Sequence, residues 1–167
     1  MRTNSIEEQE HVERIIKACP LCHAGMVDED GAPYVLPMSF GYEAGVLYLH
    51  SAQEGRSISI LEKNPRVCIT FCTSPTLLWQ NEEVACSYGM RASSVICHGK
   101  VEFEAVYEEK VRALNVIMRH YADRDFSYSE PAVNNVKIWK VVVEEASARE
   151  FGVPSKNALR FRSGRAL

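Results

Sequence analysis

Short segments of strand-forming residues, separated by turn signals, constrain the fold of this 167-residue chain more than any other feature. About seven such segments are predicted, and closely spaced strands joined by hairpins favour an antiparallel barrel or sandwich over a parallel sheet. Asp30-Gly31 is a dipeptide typical of a hairpin turn, and residues 43–45 make another tight connection. The sequence therefore predicts a mainly β fold with inserted helices.

The clearest predicted strands cover residues 24–28, 34–42, 46–50, 66–72, 95–104 and 136–143. Helices are predicted over residues 5–18, 51–64 and 107–121. The first two helices begin with the spacing of a capping box, Ser5 with Glu8 and Ser51 with Glu54. The third has one apolar stripe at helical period, which indicates that a single face packs on the sheet.

The charge distribution separates a body from a tail. The chain has a formal net charge of −3, and residues 154–167 contain four basic residues and no acidic one, which leaves −7 for residues 1–153. We predict one domain over residues 1–153 and a basic C-terminal tail over residues 154–167. The tail either binds an anionic cofactor of a partner subunit or forms a loose, solvated end. The net negative charge argues against nucleic acid as a partner.

The N-terminal sequence, MRTNSIEEQE, is polar and acidic, which predicts no secretory signal. Since no run approaches the roughly 18 apolar residues of a membrane span, no membrane association is predicted either. These two observations favour a cytoplasmic location, where the six cysteines are expected to be reduced thiols.

The C-P-L-C-H motif of residues 19–23 has the spacing of haem-attachment sites, thiolate metal sites and redox pairs. Covalent haem is disfavoured because no export signal is predicted. A redox pair is disfavoured because the motif follows a helix, whereas such pairs usually cap the start of one. A structural zinc site remains an alternative, with Cys68 or Cys72 joining Cys19, Cys22 and His23. Incidental cysteines are favoured, and no metal is predicted.

Three segments carry groups suited to a phosphate-bearing ligand. Residues 36–40 form a strand-like run whose proline cannot donate a ladder hydrogen bond and so marks an edge or an interruption. Residues 50–57 end a strand and begin a helix, where free N–H groups, the helix dipole and a guanidinium favour a phosphate. Residues 90–95 add an arginine and two hydroxyls. Taken singly, each segment also fits an ordinary strand end, a solvated charge or a loop.

Three stretches of the sequence resemble the flavin-nucleotide-binding relatives of pyridoxamine 5′-phosphate oxidase: GMVDEDGAPYVLPMSFGY, LYLHSAQEGRSISILEKNPRVCITF and SSVICHGKVEF. The similarity is greatest to the branch that includes nitroimidazole-resistance proteins, and it covers residues 10–145. It implies an FMN-binding split β-barrel that forms a homodimer, with FMN in clefts at the subunit interface. The implied activity is an oxidoreductase that passes electrons from NADH or NADPH through FMN to a small organic acceptor.

The resemblance also assigns candidate roles. His50 is the candidate catalytic residue, as a proton donor near the flavin or the substrate, and Arg56 is the first candidate phosphate ligand. The predicted cofactor-binding residues are Pro37, Met38, Ser39, Phe40, His50, Ser51, Gly55, Arg56, Ser57, Arg91, Ser94 and Val95. Ser57 stands where the family often has a lysine, which removes one positive charge from the phosphate site. A non-catalytic carrier of flavin or a tetrapyrrole on the same fold remains the alternative.

Overall fold

The chain divides into two compact units. A computed structural model describes residues 2–153 and the backbone of residues 162–166. Unit 1 comprises residues 1–19, 71–96 and 147–167, and unit 2 comprises residues 20–70 and 97–146. The single domain over residues 1–153 therefore stays a prediction. Residues 154–161 and 167 of the predicted basic tail lie outside the described residues.

Unit 2 contains a sheet with the strand order β3-β2-β6-β8-β9-β5-β4. Its strands are β2 (Cys22–Val27), β3 (Pro33–Met38), β4 (Phe40–Glu43), β5 (Val46–Ala52), β6 (Arg66–Cys72), β8 (Gly89–Glu104) and β9 (Val136–Val153), of which β6, β8 and β9 contribute only part of their length. The β2–β3 and β4–β5 pairs are antiparallel hairpins whose turns lie at the two predicted connections. This sheet carries most of the predicted site residues.

Three helices belong to unit 2: α2 (Arg56–Lys63), α3 (Tyr107–Ala122) and α4 (Glu130–Asn134). The long helix α3 buries Ala113, Val116 and Ile117 against Tyr48 of β5 and Ile138 of β9. Packing of this kind removes apolar surface from water, which is the main favourable term in folding. Helix α3 therefore fixes the β4–β5 hairpin, which ends in the segment that carries His50.

Unit 1 contains helix α1 (Gln9–Ala18), a short 3₁₀ helix (Ala85–Ser87) and strands β1 (Arg2–Ile6), β7 (Thr76–Trp79) and β10 (Arg162–Ala166). Strand β1 pairs with the C-terminal part of β9, and β7 pairs with β10 and with the N-terminal part of β8. All three pairings are antiparallel. Residues 162–166 of the predicted tail thus form a strand.

The mainly β class with inserted helices is confirmed: ten strands and four α-helices are found among the described residues. None of the helices in the described ranges is long and apolar enough to cross a lipid bilayer.

The first predicted helix, residues 5–18, is wrong at its start. Residues 2–6 form β1, in which Ser5 pairs with Arg149, and α1 begins only at Gln9. The N-cap is Glu8, without a side-chain cap hydrogen bond. Backbone pairing with a distant strand therefore prevails over the local capping-box signal, since local preferences are weak compared with tertiary context.

The second predicted helix, residues 51–64, also begins too early. Ser51 lies in β5, and α2 begins at Arg56 after the N-cap Gly55. The hydroxyl of Ser51 accepts a hydrogen bond from Trp139 Nε1 at 3.0 Å, so it does not cap a helix. The predicted end at Asn64 is confirmed.

The remaining differences concern strand lengths. The predicted strand 34–42 is two strands, β3 and β4, interrupted at Ser39. Strand β8 begins at Gly89 and not at residue 95, and β9 extends to Val153 and not to residue 143. These extensions are ladder pairings made by residues distant in sequence, such as Thr76 with Arg91, and short-range patterns do not reveal them.

Candidate functional site

The start of helix α2 in unit 2 has the features of an anion-binding site. The N-cap Gly55 has φ 135°, and a Cβ placed there would have no neighbouring atom within 4 Å. A side chain would be strained at this φ, so the residue type suits the turn into the helix. The first backbone N–H groups of a helix lack internal partners and form the positive end of its dipole. The open space at Gly55 lets an anion approach them.

Arg56, the first residue of α2, is held by two neighbours from the β2–β3 hairpin. Its Nη2 lies 3.5 Å from Asp28 Oδ2, and its guanidinium carbon lies 4.6 Å from the centre of the Tyr34 ring. Asp28 Oδ1 also accepts hydrogen bonds from the N–H groups of Asp30 and Ala32, at 3.1 and 2.8 Å. One carboxylate therefore organises the hairpin turn and orients the candidate phosphate ligand.

The Arg56 side chain remains 58% exposed, so it can bind an anion without leaving its partners. Its charge is shared with Asp28, which lowers the positive potential at the helix start. Ser57, the next residue, is buried. Sequence reasoning missed Asp28 and Tyr34 as contacts of Arg56; the Asp30-Gly31 turn signal placed Asp28 beside a hairpin turn, but nothing local placed it beside α2.

His50 and Ser51 end strand β5 with different surroundings. His50 pairs with Ile138 and Ser51 with Lys137 in the ladder with β9, and consecutive strand residues face opposite sides of a sheet. The His50 side chain retains exposed surface, but partial burial still lowers its pKa below the ordinary value. We therefore expect a neutral imidazole at pH 7, which donates one hydrogen bond and accepts another.

The Ser51 hydroxyl is already engaged. Besides accepting from Trp139 Nε1, it donates to the Ala52 carbonyl at 2.8 Å. A hydroxyl has one proton to donate, so in this arrangement it has none for a phosphate oxygen. Trp139 is fully buried, and we interpret Ser51 as a partner that satisfies its indole N–H.

The segment of residues 37–40 bends from β3 to β4. Strand β3 is the end strand of the sheet order, and Pro37 pairs with His23, as expected for a proline at an edge. Pro37 and Ser39 are exposed and Met38 is half-buried, whereas Phe40 is fully buried with its ring 4.4 Å from that of His120. Only the first three of these side chains are therefore exposed to a ligand in unit 2.

The other predicted site residues, Arg91, Ser94 and Val95, belong to unit 1. Arg91 donates to Glu150 Oε1 through Nε at 3.1 Å and through Nη2 at 2.8 Å, which leaves its charge largely neutralised. Ser94 is half-buried, and Val95 is fully buried. Arg91 and Glu150 border a polar cleft of about 350 Å³ with Thr73, Thr76 and Ser93. The assignment of these residues to the same site as Arg56 stays a prediction.

A larger, mainly apolar cleft of about 590 Å³ lies within unit 2. Its lining includes cross-strand pairs of the sheet, His23 with Thr70, and Gly25 with Val35 and Cys68. Val35 is 58% exposed, and His98 and Gly99 of β8 line the same cleft. Sequence reasoning did not single out this surface, although the alternation of buried and exposed residues in β2 shows that one face of the strand is left uncovered.

The cysteines of the C-P-L-C-H motif are buried. Burial raises the pKa of Cys19 to about 11, and the Cys22 thiol lies 3.5 Å from the Met38 carbonyl, to which it donates. A protonated thiol is a poor nucleophile and a poor metal ligand. Among the residues that the structure describes, no group of three or more histidine, cysteine or acidic side chains is arranged to hold a metal ion. The zinc alternative therefore gains no support from the described residues.

Comparisons with known proteins identify the family and structural relatives of the chain. The sequence profile of the family described as pyridoxamine 5'-phosphate oxidase matches residues 8–150. A candidate 5-nitroimidazole antibiotic resistance protein from Bacteroides thetaiotaomicron VPI-5482 is 48% identical, with a TM-score of 0.82 over 89% of this chain and 87% of that one. No curated protein sequence is significantly similar to the chain.

Two more distant structures share the fold. The flavocytochrome Anf3 from Azotobacter vinelandii is 23% identical, with a TM-score of 0.75 over 90% of this chain and 70% of that one. The FAD and heme binding protein from Mycobacterium smegmatis is 15% identical, with a TM-score of 0.77 over 91% of this chain and 76% of that one. The predicted split β-barrel class is confirmed by these comparisons. With the profile matching most of its length, the chain belongs to the pyridoxamine 5'-phosphate oxidase family.

Proposed function

We propose that this protein is an FMN-dependent oxidoreductase that passes electrons from NADH or NADPH to a small organic acceptor. The observation that carries the proposal is the exposed Arg56 guanidinium at the first residue of α2, beside the open turn at Gly55. A phosphate requires these groups together: unpaired N–H groups, a favourable dipole and a guanidinium fork.

The described residues fit FMN in a definite way. Arg56 and the N–H groups after Gly55 would hold the phosphate, and residues 37–39, of which Pro37 and Ser39 are exposed, would border the ring system. The pairing of Arg56 with Asp28 and the serine at position 57 predict a lower affinity than an Arg-Lys pair would give, because the site holds less positive charge. Bound FMN would supply the centre that accepts and releases electrons. The neutral His50 imidazole would exchange a proton with the substrate or the cofactor.

The acceptor class follows from the relative that is 48% identical, a candidate resistance protein for 5-nitroimidazole antibiotics. We propose that small nitroaromatic compounds are among the acceptors. An exposed, partly apolar edge such as that of Pro37 and Met38 suits a flat aromatic ring.

Purified protein incubated with FMN and then desalted should retain flavin absorbance near one equivalent per chain. Anaerobic addition of NADH or NADPH should then bleach that absorbance, and a nitroimidazole should restore it. Protein that stays colourless after desalting would contradict the proposal, and bound flavin that neither donor reduces would contradict the enzymatic part of it.

We further propose that the protein is a homodimer that uses the apolar cleft face of unit 2. In the row of Gly25, Val35 and Cys68, Val35 is exposed, the other two residues are half-buried, and none carries a charge. Val27 is a further exposed apolar residue of β2. Contiguous exposed apolar surface of this kind typically marks an interface. A second copy of the chain would cover it and shield the apolar side chains from water.

Replacing Val35 by lysine should convert the dimer to a monomer, because each copy would then bury an unpaired charge at the interface. Light scattering after size-exclusion chromatography at micromolar concentration would measure this. Val106→Lys is the matched control, since Val106 is 54% exposed and precedes α3, away from the cleft. A wild-type protein that is monomeric, or a V35K variant that remains dimeric, would contradict the proposed interface.

A carrier of flavin or a tetrapyrrole is the second candidate function. The observation that favours it is the apolar cleft of about 590 Å³ with His23 and His98 in its lining, since a macrocycle needs an extended apolar surface and an imidazole ligand. Titration with haemin would test this candidate. A stoichiometric Soret band that His23→Ala or His98→Ala abolishes would support it, and a band unchanged in both variants would contradict it.

A further inference from the structure

The hydroxyl of Tyr121 connects two backbone segments of unit 2 that are distant in sequence. It accepts a hydrogen bond from the Phe40 N–H at 3.1 Å and donates one to the Pro20 carbonyl at 2.9 Å. Tyr121 lies in the last turn of α3, and Pro20 belongs to the C-P-L-C motif. One side chain therefore fixes the start of β4 to the segment that precedes β2.

A second contact holds the other side of the same bend. The Cys22 thiol donates to the Met38 carbonyl at 3.5 Å, and Cys22 pairs with Met38 in the β2–β3 ladder. The carbonyl before Ser39 and the N–H after it are thus both fixed. These contacts give the C-P-L-C motif a structural role: Pro20 and Cys22 form the backing of the β3–β4 bend.

Aromatic packing fixes the direction of the Tyr121 ring. The His120 ring lies edge-on to it at 4.7 Å and also lies 4.4 Å from the buried Phe40 ring. Tyr121 itself is 45% exposed. Its hydroxyl is therefore held at its two backbone partners by the ring contacts, although the side chain lies at the surface.

Ser39 lies between the two fixed backbone groups, the Met38 carbonyl and the Phe40 N–H. Ser39 is exposed and makes no hydrogen bond within the part of the chain that the structure describes. The backbone on both sides of this exposed residue is therefore held, while its own polar groups have no partner among the described residues. Polar groups held in advance bind a ligand without an ordering cost.

We propose that Tyr121 is a positioning residue for the flavin ring, acting through the backbone on either side of Ser39. This inference rests on the proposed function, because it assumes that the exposed edge of residues 37–39 borders the cofactor. Loss of the Tyr121 hydroxyl would release the Phe40 N–H and the Pro20 carbonyl, and Ser39 would no longer be held in one orientation.

The test compares Tyr121→Phe with Tyr128→Phe in the full-length protein. Both variants keep the ring and lose one hydroxyl, and Tyr128 donates to Asn115 Oδ1 at 3.0 Å, so the control also loses a hydrogen bond. We expect Tyr121→Phe to weaken FMN binding about tenfold, because the released backbone around Ser39 would have to be ordered when the ligand binds. It should also shift the visible spectrum and the midpoint potential of bound flavin, which a merely structural role would not do. Tyr128→Phe should change FMN affinity less than twofold.

The outcomes separate this inference from the proposed function. If wild-type protein binds no FMN, the proposed function and this inference both fail. If wild-type protein binds FMN and Tyr121→Phe matches Tyr128→Phe in affinity, spectrum and potential, the positioning role alone is wrong. The Tyr121 ring is retained and half exposed, so we expect the variant to fold, and thermal unfolding of both variants would verify this.

Discussion

Replacing Gly41 by alanine should lower the free energy of unfolding by about 3 kcal/mol, at the upper end of the cost of overpacking a core. A Cβ at Gly41 would lie 2.6 Å from the backbone nitrogen of Ile117 and 2.6 Å from the carbonyl carbon of Val116. Backbone atoms of a helix cannot rotate aside as a side chain does. Helix α3 would therefore have to move away from β4, which would open the core around Tyr48 and Ile138.

Urea unfolding monitored by circular dichroism would measure this change. Gly25→Ala is the matched control, because Gly25 also lies in a strand and the nearest atom to its Cβ would be Cys68 O at 3.2 Å. We expect that control to change the free energy of unfolding by less than about 1 kcal/mol, with the loss of unfolded-chain entropy offsetting the mild crowding. An unchanged urea midpoint for G41A would contradict this close approach of α3 to β4.

Replacing Arg56 by alanine should weaken FMN binding roughly 30-fold, since a hydrogen bond to a charged group contributes about 2 kcal/mol. The guanidinium belongs to the first residue of α2 and contacts Asp28 and Tyr34 of the β2–β3 hairpin. Its removal would leave Asp28 close to the phosphate without a counter-charge, which adds repulsion. Titration of the apoprotein with FMN, followed by flavin fluorescence, would measure the dissociation constant.

Arg112→Ala is the control for this prediction. Arg112 has nearly the same side-chain exposure, 57% against 58%, and it too pairs with a carboxylate, Glu43, at 2.9 Å. It lies on α3, away from the Gly55 turn, and its loss should change FMN affinity less than twofold. Equal affinities of R56A and R112A would remove Arg56 from the phosphate site.

The predicted hairpins and the helix over residues 107–121 agree with the structure because their signals are local. Asp30-Gly31 and residues 43–45 sit in tight turns, and one face of α3 packs on β5 as predicted. The exact face differs from the predicted stripe of Val111, Leu114, Ile117, Met118 and Tyr121: of these only Ile117 is buried, together with Ala113 and Val116, and Tyr121 is exposed. The helix starts predicted from the two capping boxes are wrong, because each of these serines has a partner distant in sequence. Ser5 pairs with Arg149 and Ser51 accepts from Trp139, and both partners are far away in the chain.

In the candidate site, too, local features were predictable from the sequence and contacts between distant residues were not. Arg56 at a helix start beside Gly55 was predicted from the order of residue types alone. Three other features depend on contacts between separate elements. They are the pairing of Arg56 with Asp28, its stacking on Tyr34, and the hydrogen bonds of the Tyr121 hydroxyl with Pro20 and Phe40. No spacing within a single segment reveals such contacts.

By itself, the sequence determined the mainly antiparallel class, the hairpin turns, the family and the position of Arg56 after Gly55. These depend on periodicity, turn chemistry and local spacing, which act over a few residues. Only the tertiary structure decided which charges are neutralised, which hydroxyls are already engaged and which sheet face stays uncovered. Those properties arise when distant elements pack together, because packing sets the exposure and the partners of each polar group.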